Sequence, residues 1–442
     1  MINTILEKTK SIFQQKFVKD TSWTFIATLI VGFSGLILQT LVANNHAATG
    51  LGIYSQVLAI YTLFTLLAGF GIELSTIKHT AEFKDDHQNL IASFSTSQLI
   101  LLFFSTIIAT SLYLISTNFP NVFSSEEVAR GIKYVCPGIV FFILNRNSNS
   151  LLTGLRKMNI YAISRSLRWL MILIFSLIII LFIDDKINYL LIVYSLSEFL
   201  LFIILAVINN KYYRIHISKN WLRVHLRYGS KSILARLASD FNHKLGILIV
   251  GYFIGNAAAG IFSFMVIFGQ AILIFSSSVQ KNFNPFFAHH FAKNRVEHIK
   301  SSINKLLKFT LASAIPLYII SNIGYIIYVK TFLSYDFHNT IYMFGILTIG
   351  IIVSFTMSWT ATMLSMAGLL NQNLIRIITG SMFYLLMLSI LTKLLQTQGA
   401  IIATSISHIF NVGLSLYFVK RFLAIDVLSL ASGIIKGCSI KK

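Results

Sequence analysis

Long apolar runs alternate along this chain with short polar segments that are mostly basic. Scanned with a window of about 19 residues, the pattern predicts helices near 22–42, 51–72, 90–117, 132–153, 161–183, 188–210, 231–254, 259–282, 306–329, 340–366, 371–395 and 399–421. Each is long enough to cross a hydrocarbon core, which takes about 20 residues. The first run exceeds a signal-peptide core and more spans follow it, so it reads as an uncleaved first helix.

Composition supports a bilayer setting. Of the 442 residues, 55% are hydrophobic and 12% charged, with a mean hydropathy of +0.74, whereas a soluble domain is about one quarter charged. Length alone suggests roughly three soluble domains, but twelve spans of about 21 residues would use roughly 250 residues and account for the apolar share. The expected fold class is an all-α integral membrane protein with 12 transmembrane helices. The net charge of +21 would raise nucleic-acid binding in a soluble protein; here the basic residues sit in short loops, which points to topology and no nucleic-acid partner. Lys and Arg number about 24 at the termini and even-numbered loops, against about 3 (Arg130, Lys186, Lys330) in the odd-numbered loops, so both termini are expected in the cytoplasm.

The outer connections are short, the longest being about 14 residues around Asn118 to Gly131, which leaves no room for an external catalytic domain. The longest inner connections are Lys211 to Ser230 and Lys281 to Lys305; Pro285, in the second, is expected to stop the eighth span. In the first, Trp221, Leu222, Val224 and Leu226 interleave with cations and could lie along the anionic inner leaflet, the plainer reading being a positive-inside anchor. Cys136 and Cys438 form no CxxC or Cys/His array, so no disulfide framework or zinc site follows.

An internal repeat organises the chain. Gly52-Ile53-Tyr54-Ser55, between spans one and two, recurs as Gly260-Ile261-Phe262-Ser263 between spans seven and eight. An offset of six spans keeps the orientation parallel, giving two lobes, 1–215 (spans 1–6) and 216–442 (spans 7–12). With Phe70-Gly71-Ile72, Lys78, Gly154-Leu155-Arg156, Arg227-Tyr228-Gly229, Asp240 and Gly251-Tyr252-Phe253-Ile254-Gly255, these turns make the chain resemble the Wzx-type O-antigen and polysaccharide flippases of the multidrug/oligosaccharidyl-lipid/polysaccharide (MOP) exporter superfamily. The resemblance covers essentially the whole layout, through motifs that are each weakly specific. It implies two six-helix lobes in a V around a central cavity, working by alternating access.

Ionisable groups inside spans cost on the order of 2.5–3.5 kcal/mol at helix centre, so they need a cavity, a partner or a function. Span four carries Asn145-Arg146-Asn147-Ser148-Asn149-Ser150, an arc too wide to face lipid. Asn145 and Asn149 suit a sugar, Arg146 can fork onto a phosphate, and interhelical bonding is the structural alternative. Arg165 and Arg168 lie one turn apart on span five, where a pyrophosphate would enter from the inner leaflet, with snorkelling as the rival reading. Span seven carries Arg236, Asp240, His243 and Lys244 as one stripe. Arg236 and Lys244 would attract an anionic headgroup, and Asp240 or His243 would change protonation, unless the stripe is only an internal salt bridge. Glu73 is a further coupling candidate; Glu198, Arg376, His408 and Asn411 are weaker signals that more often mark boundaries or satisfied contacts.

The expected function is a transporter, not an enzyme: a flippase moving an undecaprenyl-pyrophosphate-linked oligosaccharide, an O-antigen or capsule repeat unit, across the bacterial cytoplasmic (inner) membrane. That substrate is what the resemblance implies. No cofactor or metal is expected, with a proton or sodium as the coupling ion; membrane lipids and a polysaccharide polymerase or assembly protein are the expected partners. A cation-coupled drug antiporter of the same superfamily is the alternative within transport, and a membrane glycosyltransferase or O-antigen polymerase the alternative outside it.

Overall fold

The computed structural model describes residues 2–183, 187–214, 217–293 and 296–432; some side chains within those ranges, Arg236, Asp240 and His243 among them, lie outside the description. The described residues contain α1 (Ile2–Gly69), α2 (Ile72–Glu82), α3 (His87–Asn118), α4 (Glu126–Gly154), α5 (Met158–Phe182), α6 (Ile187–Ile208), α7 (Lys219–Phe253), α8 (Asn256–Ala292), α9 (Val296–Phe332), α10 (Thr340–Met357), α11 (Trp359–Met366) and α12 (Leu370–Leu423), with no strand. Eight helical segments are long and apolar enough to cross a membrane, and the protein is a multi-pass membrane protein.

All the predicted spans fall on these helices, although not one to one. Spans one and two share α1, and spans eleven and twelve share α12. Each of those helices breaks at one residue in the left-handed region, Ala47 (φ 56°) and Gln396 (φ 52°), a conformation that clashes with a Cβ and so marks a forced turn. Contrary to expectation, α8 runs through Pro285 to Ala292. Pro137 and Pro316 also lie inside helices, which membrane helices tolerate because neighbours re-satisfy the freed backbone groups.

The chain divides into two compact units. Unit 1 comprises Met1–His46 and Gln56–Leu237, and unit 2 comprises Ala47–Ser55 and Ala238–Lys442. In unit 1, α4 packs against α2, α3 and α6. Close approach is fixed at Gly138, whose N–H donates to Ser195 Oγ (3.0 Å), while that hydroxyl donates to the Tyr134 carbonyl (2.7 Å). In unit 2, α10 packs against α8, α9 and α12, and the same bond recurs: Gly350 N–H donates to Ser405 Oγ (3.0 Å), which donates to the Ile346 carbonyl (2.9 Å). In both units the glycine lets two helices touch and the serine satisfies a shared turn.

The repeat read in the sequence meets itself within unit 2. A Cβ on Gly52 would lie 1.7 Å from the Asn256 carbonyl oxygen, and one on Gly260 would lie 2.1 Å from that of Ala48. Ser263 Oγ donates to Ser55 Oγ at 2.8 Å, across 208 residues of sequence. Since Ala48 and Asn256 are separated by that same interval, the contact is reciprocal, as a local two-fold axis requires.

The basic segment before span seven is helical. It is the first part of α7, and Trp221 and His225 turn into unit 1. Trp221 is buried against Phe83 and His79. His225 is fully buried, with Nδ1 2.9 Å from Ser75 Oγ and Nε2 3.1 Å from the Ser93 carbonyl. Burial pushes its imidazole down to about 4, so it sits neutral in this pocket. By contrast Phe33, Phe103, Ile178, Ile320 and Leu394 are exposed, an apolar surface suited to acyl chains.

Candidate functional site

Unit 1 contains a half-open cavity of about 580 Å³ between α2, α4, α5 and α6. Its wall gathers all the first-half site candidates: Glu73, Asn145, Arg146, Asn149, Arg165 and Arg168. Helical spacing explains the grouping. Asn145, Asn149 and Thr153 are successive turns of one α4 face, and Tyr161, Arg165 and Arg168 do the same on α5.

Two ion pairs cross the cavity wall. Arg146 Nη2 lies 3.1 Å from Glu73 Oε1, with the acid side chain 7% exposed. Arg168 Nε pairs with Glu198 Oε1, and the Glu198 side chain is fully buried. Asn145 completes this second pair, its Nδ2 donating to Glu198 Oε2 (2.9 Å) and to the Glu198 carbonyl (2.8 Å). The Arg168 guanidinium is flanked by the Phe142 and Trp169 rings at 5.0 and 5.5 Å, a further stabilisation of the charge. Glu198 therefore holds a cation on one oxygen and an amide on the other, so both of its buried oxygens have partners.

Arg165 differs. It stacks over Tyr161, 5.7 Å from the ring centroid, and among the described residues it has no carboxylate partner. Among the described lining residues three guanidiniums thus face two carboxylates, and Arg165 is half-buried at the wall. Neutral polar groups share the remaining wall with Leu74, Ile77, Phe142, Met158, Trp169 and Leu201: Ser164 donates to Asn149 Oδ1 (2.5 Å) and Thr153 to the Asn149 carbonyl (2.8 Å).

Of the span-seven stripe only Lys244 is described at the side chain. Lys244 is half-buried on α7 in unit 2, without an ion-pair partner among the described residues; the side chains of Arg236, Asp240 and His243 lie outside the description. His408, on α12, bonds through Nδ1 to Ser354 Oγ (3.0 Å). The sequence reading undervalues Glu198. The available signal is that a lone acid in the apolar segment Ile187–Ile208 must find a cation. It also gives Asn145 to a sugar, whereas its amide is committed to Glu198.

Comparison with known proteins agrees with this architecture. The lipid III flippases of Escherichia coli (strain K12) and Shigella flexneri are each 33% identical over 91 residues, 21% of this chain and 22% of theirs; the match thus spans about a fifth of those relatives. Two solved structures share the fold nearly end to end. One is the lipid II flippase MurJ in an inward closed conformation (TM-score 0.75, 18% identity, 92% of this chain and 89% of that one). The other is an inward-facing multidrug resistance MATE family transporter of the MOP superfamily (TM-score 0.70, 15% identity, 92% and 96%). These proteins are transporters by name. The polysaccharide biosynthesis protein family matches residues 17–289, more than half of the chain, and the chain belongs to that family.

Proposed function

We propose that the protein is a flippase that carries a lipid-linked oligosaccharide, an undecaprenyl-pyrophosphate-linked O-antigen or capsule repeat unit, from the inner to the outer leaflet of a bacterial cytoplasmic membrane by alternating access. The carrying observation is the unit 1 cavity, in which Arg165 has no carboxylate partner among the described residues and Asn149, Ser150, Thr153 and Ser164 add hydrogen-bonding groups to the wall. A pyrophosphate would meet Arg165 first, because the other two guanidiniums are already compensated. Arg146 could then exchange Glu73 for phosphate, and Glu73, losing its cation in a partly dry site, would favour a proton. That exchange ties proton occupancy to substrate, with sodium the competing coupling ion. Asn149, Ser150, Thr153 and Ser164 offer hydrogen bonds to sugar hydroxyls. On α7, Arg236 and Lys244 would attract the headgroup, and Asp240 or His243 would titrate as the conformation changes. A polysaccharide polymerase downstream is the natural assembly partner.

The MATE fold supports a second reading, a cation-coupled antiporter, but the excess of guanidinium over carboxylate in the cavity favours an anionic cargo. A flipping assay on purified protein in vesicles separates the two. The lipid-linked oligosaccharide should become accessible at the opposite leaflet, and Arg165→Gln should slow this by about tenfold or more, the worth of one charged hydrogen-bonded contact, with membrane insertion unchanged. Full activity in that variant would remove the cavity from the path; transport of a cationic dye and not of the glycolipid would establish the antiporter.

A further inference from the structure

Unit 2 contains a buried cation that neither the transport reading nor the cavity in unit 1 uses. Arg376 lies six residues into α12 and is 9% exposed. Its Nε donates to Asn373 Oδ1 (3.0 Å) and its Nη1 to Ser415 Oγ (3.2 Å). Both partners are neutral, and among the described residues no carboxylate reaches it. Of the described acids in unit 2, Glu297 pairs with Lys300 and Asp426 with Lys420, and Asp336 sits in the turn Tyr335–Phe337, away from α12's start in the chain. Neither bond uses Nη2, and the residue is not wholly sealed.

The internal repeat gives this residue its meaning. Arg376 follows Arg168 by the same interval that separates Ser55 from Ser263. In unit 1 the Arg168 charge is compensated by Glu198. The recurring glycine–serine bond aligns Ser195 with Ser405; three residues further on, the first half has Glu198 and the second has His408, which bonds to Ser354. The duplicated guanidinium has been kept and its built-in counter-charge has not. A guanidinium stays protonated even when buried, and a charge without a counter-ion inside a bilayer protein is strongly disfavoured.

We propose that Arg376 is the centre of a second anion-binding site, in unit 2, that takes a phosphate through the open Nη edge of the guanidinium, with Asn373 and Ser415 holding the fork in place. The lipid-linked pyrophosphate as occupant rests on the transport reading; the site itself rests on the unpaired charge. Phosphate is favoured over a neutral sugar because its oxygens replace the missing carboxylate.

The test is equilibrium binding to the full chain in nanodiscs of uncharged lipid, in an Arg165→Gln background that silences the unit 1 cavity, so it requires no flipping. The probes are undecaprenyl pyrophosphate, undecaprenol and inorganic pyrophosphate. Arg376→Gln should weaken undecaprenyl pyrophosphate about tenfold or more and leave undecaprenol unchanged, and Arg376→Lys, with charge but no fork, should fall between. Competition by inorganic pyrophosphate would identify a site for free phosphate; its failure to compete, with the lipid form still bound, would identify a headgroup site. Binding within twofold of the Arg165→Gln parent in a well-folded Arg376→Gln protein would overturn the proposal. So would an Arg376→Lys protein that binds undiminished, because the proposed fork through the Nη edge would then contribute nothing. If Arg376→Gln does not fold, the lysine variant alone decides.

Discussion

The two Arg–Glu pairs of unit 1 carry different structural weight. Glu198 is sealed and doubly bonded, whereas Arg146 and Glu73 meet at the cavity edge. Removing one partner of a buried pair leaves the other charge uncompensated, at a cost of about 3–5 kcal/mol, while replacing both with apolar groups is often neutral. Arg168→Ala should therefore destabilise the protein by that amount, and Arg168→Met with Glu198→Leu should recover most of the loss, as read from thermal unfolding in detergent. Single-variant losses that simply add in the double variant would show that the two residues do not act as a pair. Neither pair was fully legible in the sequence. Arg168 and Glu198 stand thirty residues apart, and nothing in local spacing says which face of α6 meets which face of α5.

Among the elements, the contact between Ala48–Ser55 and the start of α8 leaves the least room. Gly52 and Gly260 each face a backbone carbonyl where a methyl group would overlap it. Gly52→Ala and Gly260→Ala should each destabilise by roughly 1–3 kcal/mol, the usual cost of overpacking, and by similar amounts because the contact is reciprocal. Gly32, on the same α1, has nothing within 4 Å of the place an alanine methyl would take, so Gly32→Ala should be neutral or gain up to about 1 kcal/mol from helix propensity. Equal effects at all three positions, measured by unfolding midpoint, would mean that the close contact is not what the glycines serve. The repeat itself was visible in four residues; that its two copies touch each other was not, since a sequence match carries no distance. The glycine–serine bond shared by α4–α6 and α10–α12 has no local signature because its partners lie 57 and 55 residues apart.

For the whole molecule, the basic asymmetry of the loops yields the orientation test. A cysteine replacing exposed Asn45 should react with a membrane-impermeant reagent in intact cells, and one replacing exposed Lys219 only after permeabilisation; the opposite pattern would invert the topology. The sequence by itself determined that the chain is an all-helical multi-pass membrane protein, and it exposed a four-residue repeat. Those properties follow from local sums: about 20 apolar residues match a bilayer's thickness, and a repeat needs only comparison along the chain. The tertiary structure decided which polar residues meet. It joined Arg146 to Glu73 and Arg168 to Glu198, committed Asn145 to a carboxylate, folded Trp221 and His225 inward and left Arg165 and Arg376 without acidic partners among the described residues. Whether an intramembrane charge is compensated depends on atoms brought within a few ångströms by helix packing, and that packing is set by side-chain shape across elements far apart in the chain.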